Sequence, residues 1–213
     1  MSKYILLNDW KKLRLWGKTL VIVDFGNIYK TYFEQSWIKL FKDSYNFLIK
    51  ILSKITDEFN SYKVKKDNIY VFVGIDNNIK SSAIFAQKLK EFLGDKNVIT
   101  KPVKFLKQQD WVVRRKADFD ALIGYFTCQK QEEFKTFVFL SSDGDFVDIY
   151  ESLLKNNKQV VVFHGLTFET KRYTSWGRSK KKKKKKYNLG KEVRELVFKH
   201  KGKIFTFPLD KLI

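Results

Sequence analysis

The sequence predicts an α/β fold: a three-layer sandwich whose mostly parallel central sheet is covered by helices on both faces. Three observations lead there. Short apolar runs rich in Val, Ile and Phe recur along the chain, as strands buried on both faces require. Segments with apolar residues at helical spacing separate them. The two kinds alternate throughout, which implies right-handed strand–helix–strand crossovers.

Leu20 to Val23 reads as the first strand and ends at Asp24, with Gly26 and Asn27 as turn residues. Trp37, Leu40, Phe41, Phe47, Leu48, Ile51, Leu52, Ile55 and Phe59 then fit one long helix. Ile69 to Ile75 is a second buried strand, closed by Asp76 and Asn77. Ile84, Phe85, Leu89 and Phe92 mark a helix stopped by Gly94 and Asp95. Val98 to Phe105 reads as a third strand, which Pro102 assigns to an edge. Phe119, Leu122, Ile123 and Phe126 follow the spacing of an amphipathic helix starting at Asp118. Phe137 to Leu140 is a fourth strand, and Ile149, Leu153 and Leu154 belong to the helix after it. Gln159 to Phe163 is a fifth strand. Gly165 to Asn188 lacks periodicity and reads as a long basic loop. Val193, Leu196 and Val197 give a last helix, and Ile204 to Phe207 a last short strand. Residues 1–18 read as an N-terminal extension to one domain over 19–213, with an insertion at about 166–188.

Hydrophobic residues make up 44% of the 213 residues, enough for a real core, and the 20 phenylalanines sit mostly in the periodic segments. The formal net charge is +20, and the chain stays strongly basic without the run Lys180 to Lys186. Such a balance points to a polyanion, nucleic acid before a membrane surface; a lysine-rich composition without a charged partner is the bland alternative. The single cysteine, Cys128, rules out a disulfide within these residues and is expected as a small core hydrophobe. Charges at Asp9, Lys11, Lys12 and Arg14 interrupt the start, unlike a signal peptide, and no apolar run approaches a bilayer span of ~20 residues. A soluble, cytoplasmic protein with no membrane partner is expected.

Ligands of open parallel sheets bind beyond the carboxyl ends of the strands. Asp24 directly follows the first strand, Asp143 and Asp145 follow the fourth, and Asp118 opens the helix leading into it. If those two strands are neighbours, the four carboxylates converge. Converging carboxylates raise one another's pKa unless a cation intervenes. Oxygen ligands with few histidines suit Mg²⁺ or Mn²⁺, which orient water and stabilise charge on a phosphodiester. Taken singly, each aspartate could instead be a helix cap. Asp120 is a weaker candidate that could simply face solvent.

Val21 to Asn27, with its D-x-x-N pattern, Lys116-Ala117-Asp118 and Ser142-Asp143-Gly144-Asp145-Phe146 together resemble the motifs of the NYN domain family, within the PIN-like nuclease superfamily. Asn157 to Val162 resembles the strand that follows, with Asn157 where a Gly is usual, and Val193 to Leu209 resembles the closing helix and strand. The spacing K-x-D is shorter than the family's K-x-x-D. The resemblance covers about 19–213 and implies a PIN-like Rossmannoid fold, Mg²⁺ or Mn²⁺, and hydrolysis of RNA; an RNA endonuclease is the leading expectation. It implies that Asp24, Asp118, Asp143 and Asp145 are the metal-associated, catalytic carboxylates, and that Asn27 and Ser142 are polar helpers. A catalytically inactive RNA-binding regulator of the same fold is the alternative.

The lysines of the run, Lys180, Lys181, Lys182, Lys183, Lys184, Lys185 and Lys186, would grip an RNA backbone beside the site, with Trp176 and Arg178 just before them; a solvated basic loop is the other reading. Arg114, Arg115 and Lys116 precede Asp118 and would bind phosphate. RNA is the expected partner; DNA and a homodimer stay open. His164 reads as structural, because no second His or Cys accompanies it at metal spacing.

Overall fold

The computed structural model describes residues 13–29, 41–58, 64–108, 112–175, 178–187 and 189–212, with side chains left out at 41–43, 105–108, 112–116, 166–175, 178–187 and 210–211. Trp37, Leu40, Phe59 and Trp176 lie outside the described residues. Ten strands and six helices occur among the described residues, in the order β1 (Thr19–Asp24), α1 (Phe25–Tyr29), α2 (Phe41–Glu58), β2 (Ile69–Ile75), α3 (Lys80–Leu93), β3 (Val98–Pro102), β4 (Lys104–Gln108), β5 (Val112–Lys116), α4 (Asp120–Lys130), β6 (Thr136–Leu140), α5 (Val147–Lys155), β7 (Gln159–His164), β8 (Leu166–Ser175), β9 (Arg178–Tyr187), α6 (Lys191–Lys199) and β10 (Ile204–Pro208).

Six strands form one parallel sheet in the order β10-β7-β6-β1-β2-β3. Period-two alternation of apolar side chains divides the interior into two cores. Val21 and Val23 of β1 face one core with Leu48, Ile51 and Leu52 of α2 and Phe85 and Leu89 of α3. Leu20 and Ile22 face the other with Ile123 of α4, Tyr150 and Leu153 of α5, and Val193 of α6. A strand apolar on both faces needs helices on both, so the three-layer sandwich expected from the sequence is the one observed.

The edge position argued from Pro102 holds, since β3 is an outer strand and Pro102 its last residue. The third strand does not run on to Phe105, however. Lys104 starts an antiparallel hairpin, β4 on β5, outside the main sheet. A second difference is larger. The stretch expected as a basic loop is a long antiparallel hairpin in which ten residues of β8 pair with ten of β9, from Leu166↔Tyr187 to Ser175↔Arg178. Seven consecutive lysines carry no alternation to read. The β-forming residues are on the other strand: Thr167, Phe168, Thr170, Tyr173 and Thr174. Cys128 is another correction: it is exposed, because α4 buries Ile123 and Thr127, and the next position lies about 100° around the helix. Among the described residues no helix is long and apolar enough to cross a membrane.

Candidate metal centre

The chain leaves β1 to build β2 and β3 on one side, then returns to place β6 on the other. The order therefore switches between β1 and β6, where an open α/β sheet forms a crevice at its carboxyl edge. Asp24 ends β1 on one side of that switch, and Ser141, Ser142 and Asp143 follow β6 on the other.

Asp24 is buried and accepts hydrogen bonds from the backbone N–H of Asn27 (3.2 Å) and the hydroxyl of Ser141 (3.4 Å). The Asn27 side-chain oxygen accepts from the backbone N–H of Ser142 at 2.7 Å. The Ser142 hydroxyl in turn accepts from the N–H of Gly165, beyond β7. One chain of hydrogen bonds thus ties the carboxyl ends of β1, β6 and β7 together. Asp143 donates its N–H to the Ser141 hydroxyl (3.1 Å), and its carboxylate accepts from the N–H of Asp145 (3.1 Å). The capping reading of Asp143 is therefore correct as far as it goes, because its carboxylate caps the short helical turn Gly144–Phe146.

The third member is Asp120, the first residue of α4. Buried Phe119 packs edge-on against Phe72 of β2 (5.7 Å), and Lys101 of β3 donates to the Asp118 carbonyl (3.1 Å), which together fix where α4 begins. Asp24, Asp120 and Asp143 each offer one oxygen, all within 4.8 Å of one another. Asp118 and Asp145, expected beside them, are exposed and lie outside that group. Asp118 instead accepts from the N–H of Asp120 at 3.4 Å, as a residue just ahead of a helix does. Asp118 is expected from the K-x-D segment and the helix start, and Asp120 toward solvent; α4 instead begins at Asp120, whose carboxylate joins the group.

Burial pushes the Asp24 carboxyl up to about 6 from its ordinary 3.8. The Asn27 hydrogen bond opposes the shift, while the charges of Asp120 and Asp143 add to it. Such a group is held at a cost, which a cation would relieve. Three carboxylate oxygens this close together could serve as ligands of one divalent ion. All three donors are hard oxygens, and the residues fit Mg²⁺ or Mn²⁺.

Tyr150 is a residue that sequence reasoning missed. Fully buried on α5 against Phe139 (4.9 Å), its hydroxyl has no hydrogen-bond partner among the described residues. Burial, and then the charges of Asp24 and Asp143, keep it firmly protonated. A Tyr within a Phe and Leu stripe was the available signal. His164 is buried with Nδ1 3.2 Å from the Gly165 carbonyl. Arg114, Arg115 and Lys116 belong to β5, and Arg178 and Lys180 to Lys186 to β9; their side chains lie outside the description.

Asn27→Ala removes the acceptor for the Ser142 N–H and leaves that donor unpaired, a loss of about 1–3 kcal/mol. Urea denaturation is expected to register it, together with weaker Mg²⁺ binding in titration calorimetry. Unchanged values in both would show that the clasp does not hold the two strand ends.

No family model and no curated protein matches the sequence. Among solved structures, the chain is similar to a protein of unknown function from Vibrio parahaemolyticus, at 16% identity and a TM-score of 0.43, over 71% of this chain and 84% of that one.

Proposed function

We propose that this protein is a metal-dependent ribonuclease of the NYN/PIN-like kind, cutting RNA internally. The observation that carries the reading is the meeting of Asp24, Asp120 and Asp143 at the switch point of the sheet. The strongly basic chain supports it. A net charge of +20 draws polyanions toward the surface, and a small acidic centre within such a surface is repulsive to phosphate unless a cation stands between.

Asp24, Asp120 and Asp143 would hold Mg²⁺ or Mn²⁺. When bound, such an ion supplies Lewis acidity toward the phosphodiester and lowers the pKa of a coordinated water. The protein's own residues do the rest. The Asn27–Ser142 clasp keeps the ends of β1 and β6 in register, so Asp24 and Asp143 face each other without reorganising. Asp120, at the amino end of α4, sits where the helix dipole stabilises its charge. Tyr150 and the phenylalanines beside it wall the site off from water on its inner side, so charges there act more strongly than at the surface.

Labelled single-stranded RNA, structured RNA and DNA incubated with Mg²⁺, Mn²⁺ or excess chelator test the reading. Cleavage of RNA is expected only with an ion present. Cutting that persists in chelator removes the metal. RNA binding without cleavage under every ion makes the protein a binding regulator instead.

A further inference from the structure

Both hairpins outside the main sheet leave from, and return to, the rim that carries the three aspartates. The short one, β4–β5, begins just after β3, where Val103 donates its N–H to the Ile75 carbonyl at the end of β2 (2.8 Å). It ends at Ala117, packed so closely on Gly74 that a Cβ there would lie 2.7 Å from the Ala117 Cβ, and Asp120 follows three residues later. The long one, β8–β9, begins beside Gly165, bonded to Ser142. It returns at Gly190, where an added Cβ would lie 3.6 Å from the Cα of Gly144, next to Asp143. In the order β10-β7-β6-β1-β2-β3 the two roots lie on opposite sides of the β6–β1 switch.

Their composition is as one-sided as their placement. The strands β4 and β5 hold Lys104, Lys107, Arg114, Arg115 and Lys116 and no acid. The strands β8 and β9 hold Lys171, Arg172, Arg178 and the run Lys180 to Lys186 against the single acid Glu169. Ten paired residues make the long hairpin about 34 Å in extent, and five make the short one about 17 Å. Lysines along the edges of such a ribbon discourage pairing with a further strand. The ribbon's charge suits a polyanion that lies along it.

We infer that the two hairpins hold one nucleic-acid strand on both sides of the acidic centre, so that the substrate is a continuous strand crossing the site rather than a free end. The inference rests on the ribonuclease reading for the identity of the strand, while the grip itself is independent of chemistry. A strand held at two places gains affinity by avidity: each hairpin raises the local concentration of phosphates at the other. Each neutralised phosphate also adds about 0.7 to the log–log salt slope on a single strand.

The test uses the full chain in excess chelator, with binding read by fluorescence anisotropy on single-stranded RNA of increasing length. Three variants are compared with the parent: Arg114, Arg115 and Lys116 replaced by Gln, Lys180 to Lys186 replaced by Gln, and Lys180 to Lys186 replaced by Arg as a charge-conserving control. Thermal melts verify that each is folded. On RNA too short to reach both hairpins the second grip adds nothing, so each Gln variant should lose less there than on RNA that spans both. On RNA long enough to span both, each should lose on the order of 10²-fold with a lower salt slope, and the Arg variant should match the parent. With Mg²⁺, a closed RNA circle should be cut as fast as a linear chain of equal length.

A long RNA that binds either Gln variant with an unchanged salt slope overturns the two-sided grip. So does cutting of linear chains with the circle left intact, because the site would then take an end. Tighter binding to phosphatidylserine vesicles than to RNA overturns the nucleic-acid assignment. Intact length-dependent binding with no cleavage under any ion leaves the grip standing and removes only the ribonuclease reading.

Discussion

Asp24→Asn is expected to abolish cleavage and, in chelator at neutral pH, to make the protein more stable. The two effects share one cause. The Asp24 carboxyl titrates near 6 in the fold against an ordinary 3.8, with burial the largest contribution. Between those values the folded state holds a proton that the unfolded chain releases, so stability falls as pH rises through the window and does not recover above it. A shift of that size is worth up to about 3 kcal/mol. Asparagine cannot ionise, nearly conserves volume, and its side-chain oxygen can still accept from the Asn27 N–H. Urea denaturation in chelator should therefore find the variant close to the parent at pH 4 and more stable by up to about 3 kcal/mol at pH 8. Saturating Mg²⁺ should stabilise the parent more than the variant, since only the parent brings the charge. Cleavage should fall more than about 100-fold, because changes to groups that merely orient ligands already cost 10–100-fold. A variant less stable than the parent at both pH values would show that Asp24 is structural, and cleavage at the parental rate would remove it from the site.

Why so much of this was legible, and some not, follows from how each feature is encoded. The sheet is written twice, once as apolar runs and once as the residues that end them. Leu20 to Val23 reads as a strand buried on both faces, and the structure makes it β1 with Asp24 as its last residue, at the carboxyl rim. Convergence of Asp24 with Asp143 needed one further fact, that β1 and β6 are neighbours, and Thr19↔Thr136 through Val23↔Leu140 supply it. The hairpins were illegible for a different reason. Strand pairing is a property of two segments, and Lys180 to Lys186 contains no pattern that its partner could match. Only the register of Leu166 to Ser175 against it reveals the ribbon. Tyr150 was hidden by its company, since a lone hydroxyl within an apolar stripe reads as core until the aspartates above it are placed.

Asp120→Asn and Asp118→Asn are expected to part company, and they decide between the motif as it reads in the sequence and the rim as it folds. Asp118 has the position that the K-x-D segment marks, yet it is exposed, outside the three-oxygen group, and accepts the Asp120 N–H as a residue ahead of a helix does. Asn serves that role about as well as Asp, so Asp118→Asn should change stability by only a few tenths of a kcal/mol and cleavage by a few-fold at most. Asp120 is half-buried, contributes one of the three oxygens, and helps raise the Asp24 pKa. Its neutral replacement should lower cleavage more than about 100-fold, as at Asp24, and move the pH-dependent loss of stability in chelator to lower pH. The second readout separates a ligand from a bystander without any assay of turnover, because the coupling between two carboxylates exists whether or not RNA is cut. Equal and large losses from both substitutions would mean that the rim closes further on its ion and draws Asp118 in. A large loss from Asp118→Asn alone would return the site to the arrangement the motif implied.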